Sequence, residues 1–210
     1  MNKAEEIALS HGRMLPLMEA FYSIQGEGAQ TGKAAYFMRI GGCDVGCYWC
    51  DVKESWNPDI HPLTETDKII EDCLASKADS VVVTGGEPLL YNMNYLTKGL
   101  KEQGIKTFLE TSGSSPLSGF WDWICLSPKK AKPPEKLLFS LADELKIIIH
   151  DDDDFMWAEE NASLLTKDSL LFLQPEWSRS KEMMPVIVEY ILQHPKWRMS
   201  LQSHKYMGVP

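Results

Sequence analysis

Six short runs rich in β-branched and aromatic residues, "AAYFMRI", "SVVVT", "KTFLE", "WDWICLS", "ELKIIIH" and "SLLFLQP", recur along the chain. Helix-period patterns near 64–76, 91–103, 152–165 and 181–194 fall among them. Parallel strands need long crossovers, so this alternation predicts parallel βαβ units with both faces of the sheet covered. The expected fold class is α/β, an open or incomplete (truncated) parallel β/α barrel. The 210 residues suit one core, and no internal repeat or low-complexity linker divides them, so a single domain spanning 1–210 is expected. In such folds ligands bind at the C-terminal ends of the strands. The unusual residues sit there: a cysteine loop follows "YFMRI", "TGGEP" follows "VVV", "ETSGS" follows "KTFL", "SPKK" follows "WICL" and "QPEW" follows "LLFL".

Composition narrows the partners. Apolar residues make up 44%, but no run approaches the roughly 20 needed to cross a bilayer, and "MNKAEEIALSHGRM" lacks the apolar core of a signal peptide. A cytoplasmic protein without membrane contact is expected. The net charge of -9, with "PKKAKPPEK" the only basic concentration, argues against nucleic acid and for a small-molecule substrate. The acidic run "DDDD" at 151–154 reads as a solvated helix N-cap, because the ligand spacing of a calcium loop is absent.

Three of the five cysteines stand within "GGCDVGCYWCD", and three thiols so close together, in a reducing compartment, point to metal binding or catalysis rather than disulfides. Cys73 and Cys125 lie on apolar segments and read as packing. For Cys43, Cys47 and Cys50 a structural zinc site normally wants a fourth protein ligand; His61 is a candidate, although no spacing singles it out. An iron-sulfur cubane held by three thiolates leaves one iron open to a small molecule.

The C-x3-C-x2-C spacing, with Trp49 before the last cysteine, and the segment Thr84, Gly85, Gly86, Glu87, Pro88 together resemble the radical S-adenosylmethionine (SAM) superfamily. The resemblance implies a radical SAM-type barrel holding a 4Fe-4S cluster whose open iron is chelated by S-adenosylmethionine, with reductive cleavage giving a 5'-deoxyadenosyl radical. Nearly the whole chain, from "FYSIQGEGAQTGKAAYFMRIGGCDVGCYWCD" through "SPKK" and "QPEW" to "LQSHKYMGVP", is similar to the 7-carboxy-7-deazaguanine synthase family. Members convert 6-carboxy-5,6,7,8-tetrahydropterin to 7-carboxy-7-deazaguanine with loss of ammonia, in queuosine and deazapurine biosynthesis. The likeness further implies a homodimer, Mg2+ dependence and an external electron donor of flavodoxin or ferredoxin type.

Residue by residue, the resemblance places Ile24, Gln25, Gly26, Glu27, Arg39, Thr84, His204 and Pro210 on the substrate. It places Trp49, Asp51, Gly86, Ser127, Pro128, Lys129, Gln174 and Pro175 on the cofactor. The chemistry suits these roles. A guanidinium clamps a carboxylate through two parallel hydrogen bonds, and a chain-terminal carboxylate offers two acceptors to a 2-amino-pyrimidinone edge. One departure stands out: the family's hydroxyl ligand to magnesium is replaced by Val52, leaving Asp51, Glu54, substrate or water to supply oxygen. A glycyl-radical activating enzyme and a non-catalytic iron-sulfur module are the competing readings; the first needs a polypeptide-docking surface, the second no SAM loops.

Overall fold

The computed structural model describes residues 2–210. Helix α1 (Lys3–Ser10), capped by Asn2 and Glu5, leads into the long strand β1 (Met14–Ile24). Then follow β2 (Ala34–Ile40), β3 (Leu63–Glu65), α2 (Thr66–Ala75), β4 (Ser80–Gly85), α3 (Asn94–Glu102), β5 (Lys106–Thr111), β6 (Trp123–Leu126) and α4 (Leu138–Leu141). The chain finishes with β7 (Glu144–Ile149), α5 (Asp154–Ser163), β8 (Leu170–Pro175), α6 (Ser180–Gln193), β9 (Trp197–Met199) and α7 (Ser203–Met207).

The nine strands form one sheet in the order β3-β1-β2-β4-β5-β6-β7-β8-β9, with β2 through β9 parallel and β1 antiparallel to both neighbours. The sheet does not close, so the incomplete barrel expected from the sequence is observed. All six anticipated strands and four helices form. The pattern missed β1, where Pro16 and Glu19 interrupt the apolar run; the strand tolerates both, with a register shift between Leu17 and Glu19 and Pro16 paired to the edge strand β3. It also missed the short β3 and β9, each of three residues. The β5–β6 crossover carries no helix and the β6–β7 crossover only the four-residue α4.

Side chains alternate across the sheet with period two. One face carries Tyr36, Met38, Ile40, Val81, Val83, Leu109, Leu126, Leu145, Ile147 and Leu173, packed beneath the helices in two apolar clusters. Cys73 belongs to this core and is fully buried, as expected. The other face is not covered by a second helical layer, contrary to expectation: Phe37, Arg39, Thr84, Glu110, Lys146, Ile148 and Gln174 look into a cavity. Cys125, also buried, takes its place in this inward row beside Glu144, which pairs across from it.

Of the acidic run, Asp151, Asp152 and Asp153 are exposed as expected, but the helix cap does not form. Asp153 makes no side-chain cap to α5; Asp154 is buried, accepts from the His150 and Asp151 backbone N–H groups at 2.7 and 3.0 Å and ion-pairs with Lys130 at 2.5 Å. It ties the turn before α5 to the "SPKK" loop instead of satisfying the helix's own amides.

Candidate active site

A cavity of about 650 Å3 opens at the C-terminal ends of the parallel strands, a volume suited to a small molecule and cofactor rather than a polymer. Every residue assigned above to cluster, cofactor or substrate lines it except Pro128, which is buried behind the wall. The five loops that the strand ends were expected to present thus converge. Pro128 supports the loop without facing the cavity.

The loop after β2 carries Cys43, Cys47 and Cys50, all free thiols and all partly exposed to the cavity. Burial pushes the Cys43 and Cys47 thiols above their ordinary value; the Val45 and Gly46 backbone amides oppose this at Cys43 and the Lys129 ammonium opposes it at Cys47. Among the described residues no three His, Cys, Asp or Glu side chains are grouped to hold a single metal ion. His61, the candidate fourth ligand of a zinc site, keeps its Nε2 2.9 Å from the Glu54 carbonyl oxygen, outside the cavity wall. A cubane takes each thiolate on a different iron, so three half-buried thiols beside an open cavity fit it.

The glycine loop after β4 is fitted against the cysteine loop by backbone. Gly86 N–H donates to the Ile40 carbonyl and Glu87 N–H to the Gly42 carbonyl, both at 2.8 Å. A Cβ at Gly86 would lie 2.2 Å from the Gly42 carbonyl oxygen, so only glycine permits this approach. Glu87 is completely buried and accepts from Thr111 Oγ1 at 2.6 Å, Ser112 N at 2.8 Å, Ser112 Oγ at 2.5 Å and Leu89 N at 3.1 Å. It therefore locks the β4 loop to the β5 loop. Lys129 donates to the Ser127 carbonyl and hydroxyl at 2.6 and 2.7 Å and lies 5.9 Å from the Trp49 ring centre.

Across the cavity, the segment after β1 carries Gln25, Gly26 and Glu27. Glu27 ion-pairs with Lys146 and accepts from Gln202 Nε2 at 3.0 Å. Burial alone would raise its carboxyl, but the Lys146 charge and hydrogen bond, with Gln202 and Gln174, bring it down to about 2. Glu110 accepts from Gln25 Nε2 at 2.8 Å and Thr84 Oγ1 at 3.3 Å. Arg39 Nε stands 3.0 Å from Glu19 Oε1, an ion pair whose angles do not make a hydrogen bond, and the guanidinium lies 5.9 Å from the Phe21 ring centre. Its terminal nitrogens make no hydrogen bond among the described residues, leaving them available to an anion.

The chain end completes the wall. Ser203 N and Oγ both donate to the Gly26 carbonyl at 3.0 Å, Lys205 Nζ donates to Asp51 at 2.7 Å and Ser23 Oγ donates to the Pro210 carbonyl at 3.2 Å. The His204 ring lies over Gly26, where a Cβ would come 2.2 Å from Nδ1. Burial leads in holding its imidazole below the ordinary value; Glu27 pulls upward while Lys205 and Arg39 push down. Sequence reading passed over Glu110, Lys146, Gln202 and Lys205. Lys146 left a signal, being the one charge inside "LKIII"; Gln202 left none.

The chain matches the family model described as the Radical SAM superfamily over residues 38–126. It is 55% identical to the 7-carboxy-7-deazaguanine synthase of Flavobacterium psychrophilum over 210 residues, covering 100% of both chains. It is 48% identical to that of Synechocystis, covering 92% of this chain and 93% of the relative. The crystal structure of QueE from Escherichia coli superposes with a TM-score of 0.82 at 26% identity, covering 95% of this chain and 99% of the other.

Proposed function

Because the chain belongs to the 7-carboxy-7-deazaguanine synthase family of radical SAM enzymes, we propose that the cavity binds 6-carboxy-5,6,7,8-tetrahydropterin and converts it to 7-carboxy-7-deazaguanine. The observation that carries this reading is the joining, in one cavity, of three free thiols with Arg39, Glu27 and Pro210. A radical SAM cofactor explains the first set and an anionic heterocycle with a hydrogen-bonding edge the second.

Cys43, Cys47 and Cys50 would hold the 4Fe-4S cluster, and Trp49, Asp51, Gly86, Ser127, Lys129, Gln174 and Pro175 the S-adenosylmethionine. Bound together, these supply one-electron reductive chemistry that starts the reaction. The chain's own residues do the rest by binding and orientation. Arg39 engages the pterin carboxylate with its unpartnered terminal nitrogens. Glu27, kept ionised, accepts from ring N–H groups, and Gln25, Gly26, Thr84, His204 and the Pro210 carboxylate frame the same ring. At the metal-binding end, Val52 lines the cavity without a side-chain oxygen, its carbonyl accepts from Ser55 N and Oγ, and Glu54 lies off the wall. Mg2+ would therefore take Asp51, substrate and water oxygens. An external electron donor of flavodoxin or ferredoxin type, a homodimer and a cytoplasmic location complete the reading; no helix among the described residues is long and apolar enough to cross a membrane.

Anaerobic incubation of the reconstituted protein with the pterin, S-adenosylmethionine, magnesium and reductant tests it. Mass detection should find 7-carboxy-7-deazaguanine, and cofactor cleavage without that product would refute the substrate assignment.

A further inference from the structure

Lys146 is a charged residue in an apolar strand, and its side chain is only 5% exposed. A desolvated ammonium persists only where anions or acceptors surround it. Here they come from several elements. Glu27 reaches it from the β1–β2 loop, Glu110 Oε2 stands 4.0 Å away on β5, Cys125 faces it from β6 and Glu144 shares its strand. Lys129, after β6, faces it as a like charge. Glu27 also meets Gln202 and Gln174, with His204 close by, and Glu110 also meets Gln25 and Thr84. Two carboxylates that line the cavity are thus gripped by one nearly buried ammonium set in its wall.

We propose that Lys146 is a positioning residue for the substrate, acting through Glu27 and Glu110 so that both present fixed, ionised acceptor oxygens to the N–H edge of the ring. The proposal rests on the pterin reading above. Without the cation, two carboxylates would face each other in a confined, poorly hydrated space, and one would take up a proton. A carboxylic acid carries a donor where the ring edge requires an acceptor. The depressed Glu27 carboxyl, held down by Lys146 against its own burial, agrees with this arrangement.

The test is binding of 6-carboxypterin, an oxidised analogue with the same pyrimidinone edge and carboxylate, to the anaerobically reconstituted enzyme in the presence of S-adenosylmethionine. Fluorescence titration between about pH 5.5 and pH 7.5 should give a nearly constant Kd for wild type. Lys146→Met should weaken binding by about tenfold or more at the acid end and recover part of it as pH rises, following the ionised fraction of a raised carboxyl. A circular dichroism spectrum matching wild type separates this from misfolding, which moves affinity without a pH slope. Equal Kd values and flat profiles for wild type and Lys146→Met would overturn the proposal, while failure of wild type to bind would overturn the pterin reading beneath it. Should Lys146→Met not fold, infrared difference spectra of wild type against Glu27→Gln decide. A Glu27 carboxylate band persisting down to about pH 4 supports the role, and a protonated-acid band appearing above that pH removes it.

Discussion

Arg39 has two partners of different worth. Its ion pair with Glu19, whose side chain is 45% exposed, is of the kind that contributes about 0–1 kcal/mol. A desolvated substrate carboxylate is another matter: losing the guanidinium leaves that anion unpaired. Arg39→Ala should lower kcat/KM by the equivalent of about 2–5 kcal/mol, with Arg39→Lys recovering part, and Glu19→Gln should change it little. Steady-state kinetics on the three variants check this, and equal losses for Arg39→Ala and Glu19→Gln would contradict it. Arg39 and the three cysteines were legible because each belongs to a motif contiguous in the chain. Lys146, Glu110 and Gln202 take their meaning from being inward neighbours on separate elements, which no local pattern encodes. Glu87 was visible as part of a motif, but its buried job of joining two loops appears only once Thr111 and Ser112 are brought against it.

Among the elements, α7 and the four residues around it were the least readable. A five-residue helix has too few turns to show a period, and chain ends ordinarily fray. What orders this end is outside it: the Gly26 carbonyl, Asp51 and Ser23 each take or give a hydrogen bond to it. The central strands, by contrast, announced themselves through β-branched runs buried at consecutive positions, and the crossovers without full helices blurred only what lies between them. A C-terminal tag turns the Pro210 carboxylate into an amide and adds bulk at the cavity wall. It should raise the pterin KM by about tenfold or more, as the loss of one charge-assisted contact would. An N-terminal tag, attached beside α1 and away from the cavity, should leave kinetics unchanged. Comparing the two proteins with tags verified by mass spectrometry is decisive, since equal KM values would remove the terminal carboxylate from the site.

Taken whole, the molecule keeps its stabilising core apart from its chemistry. The two large apolar clusters lie on the helical face and include none of the three cavity cysteines, and each fully buried Leu, Ile or Val there contributes about 1.5–3 kcal/mol. Replacing Cys43, Cys47 and Cys50 together by Ala should therefore abolish the visible absorption of a reconstituted cluster. The far-ultraviolet circular dichroism and a cooperative melt should remain, whereas an unfolded variant would show that the loop holds up the fold. The cavity does link to global stability through Glu27. Its folded carboxyl titrates at about 2, below the ordinary 4.5, so the stabilisation is present above 4.5 and is lost as pH falls toward 2. Denaturation midpoints should show wild type more stable than Glu27→Gln at neutral pH, with the gap narrowing across that acid window; a constant gap would contradict the pairing. The docked 203–210 segment has one more consequence, in order of assembly rather than space. Ser203 meets Gly26 across a sequence separation of 177, and Val209 and Pro210 form part of the cavity wall. Contacts so distant in sequence carry a loop-closure cost and slow folding, so tight substrate binding reports that the two ends of the fold have met.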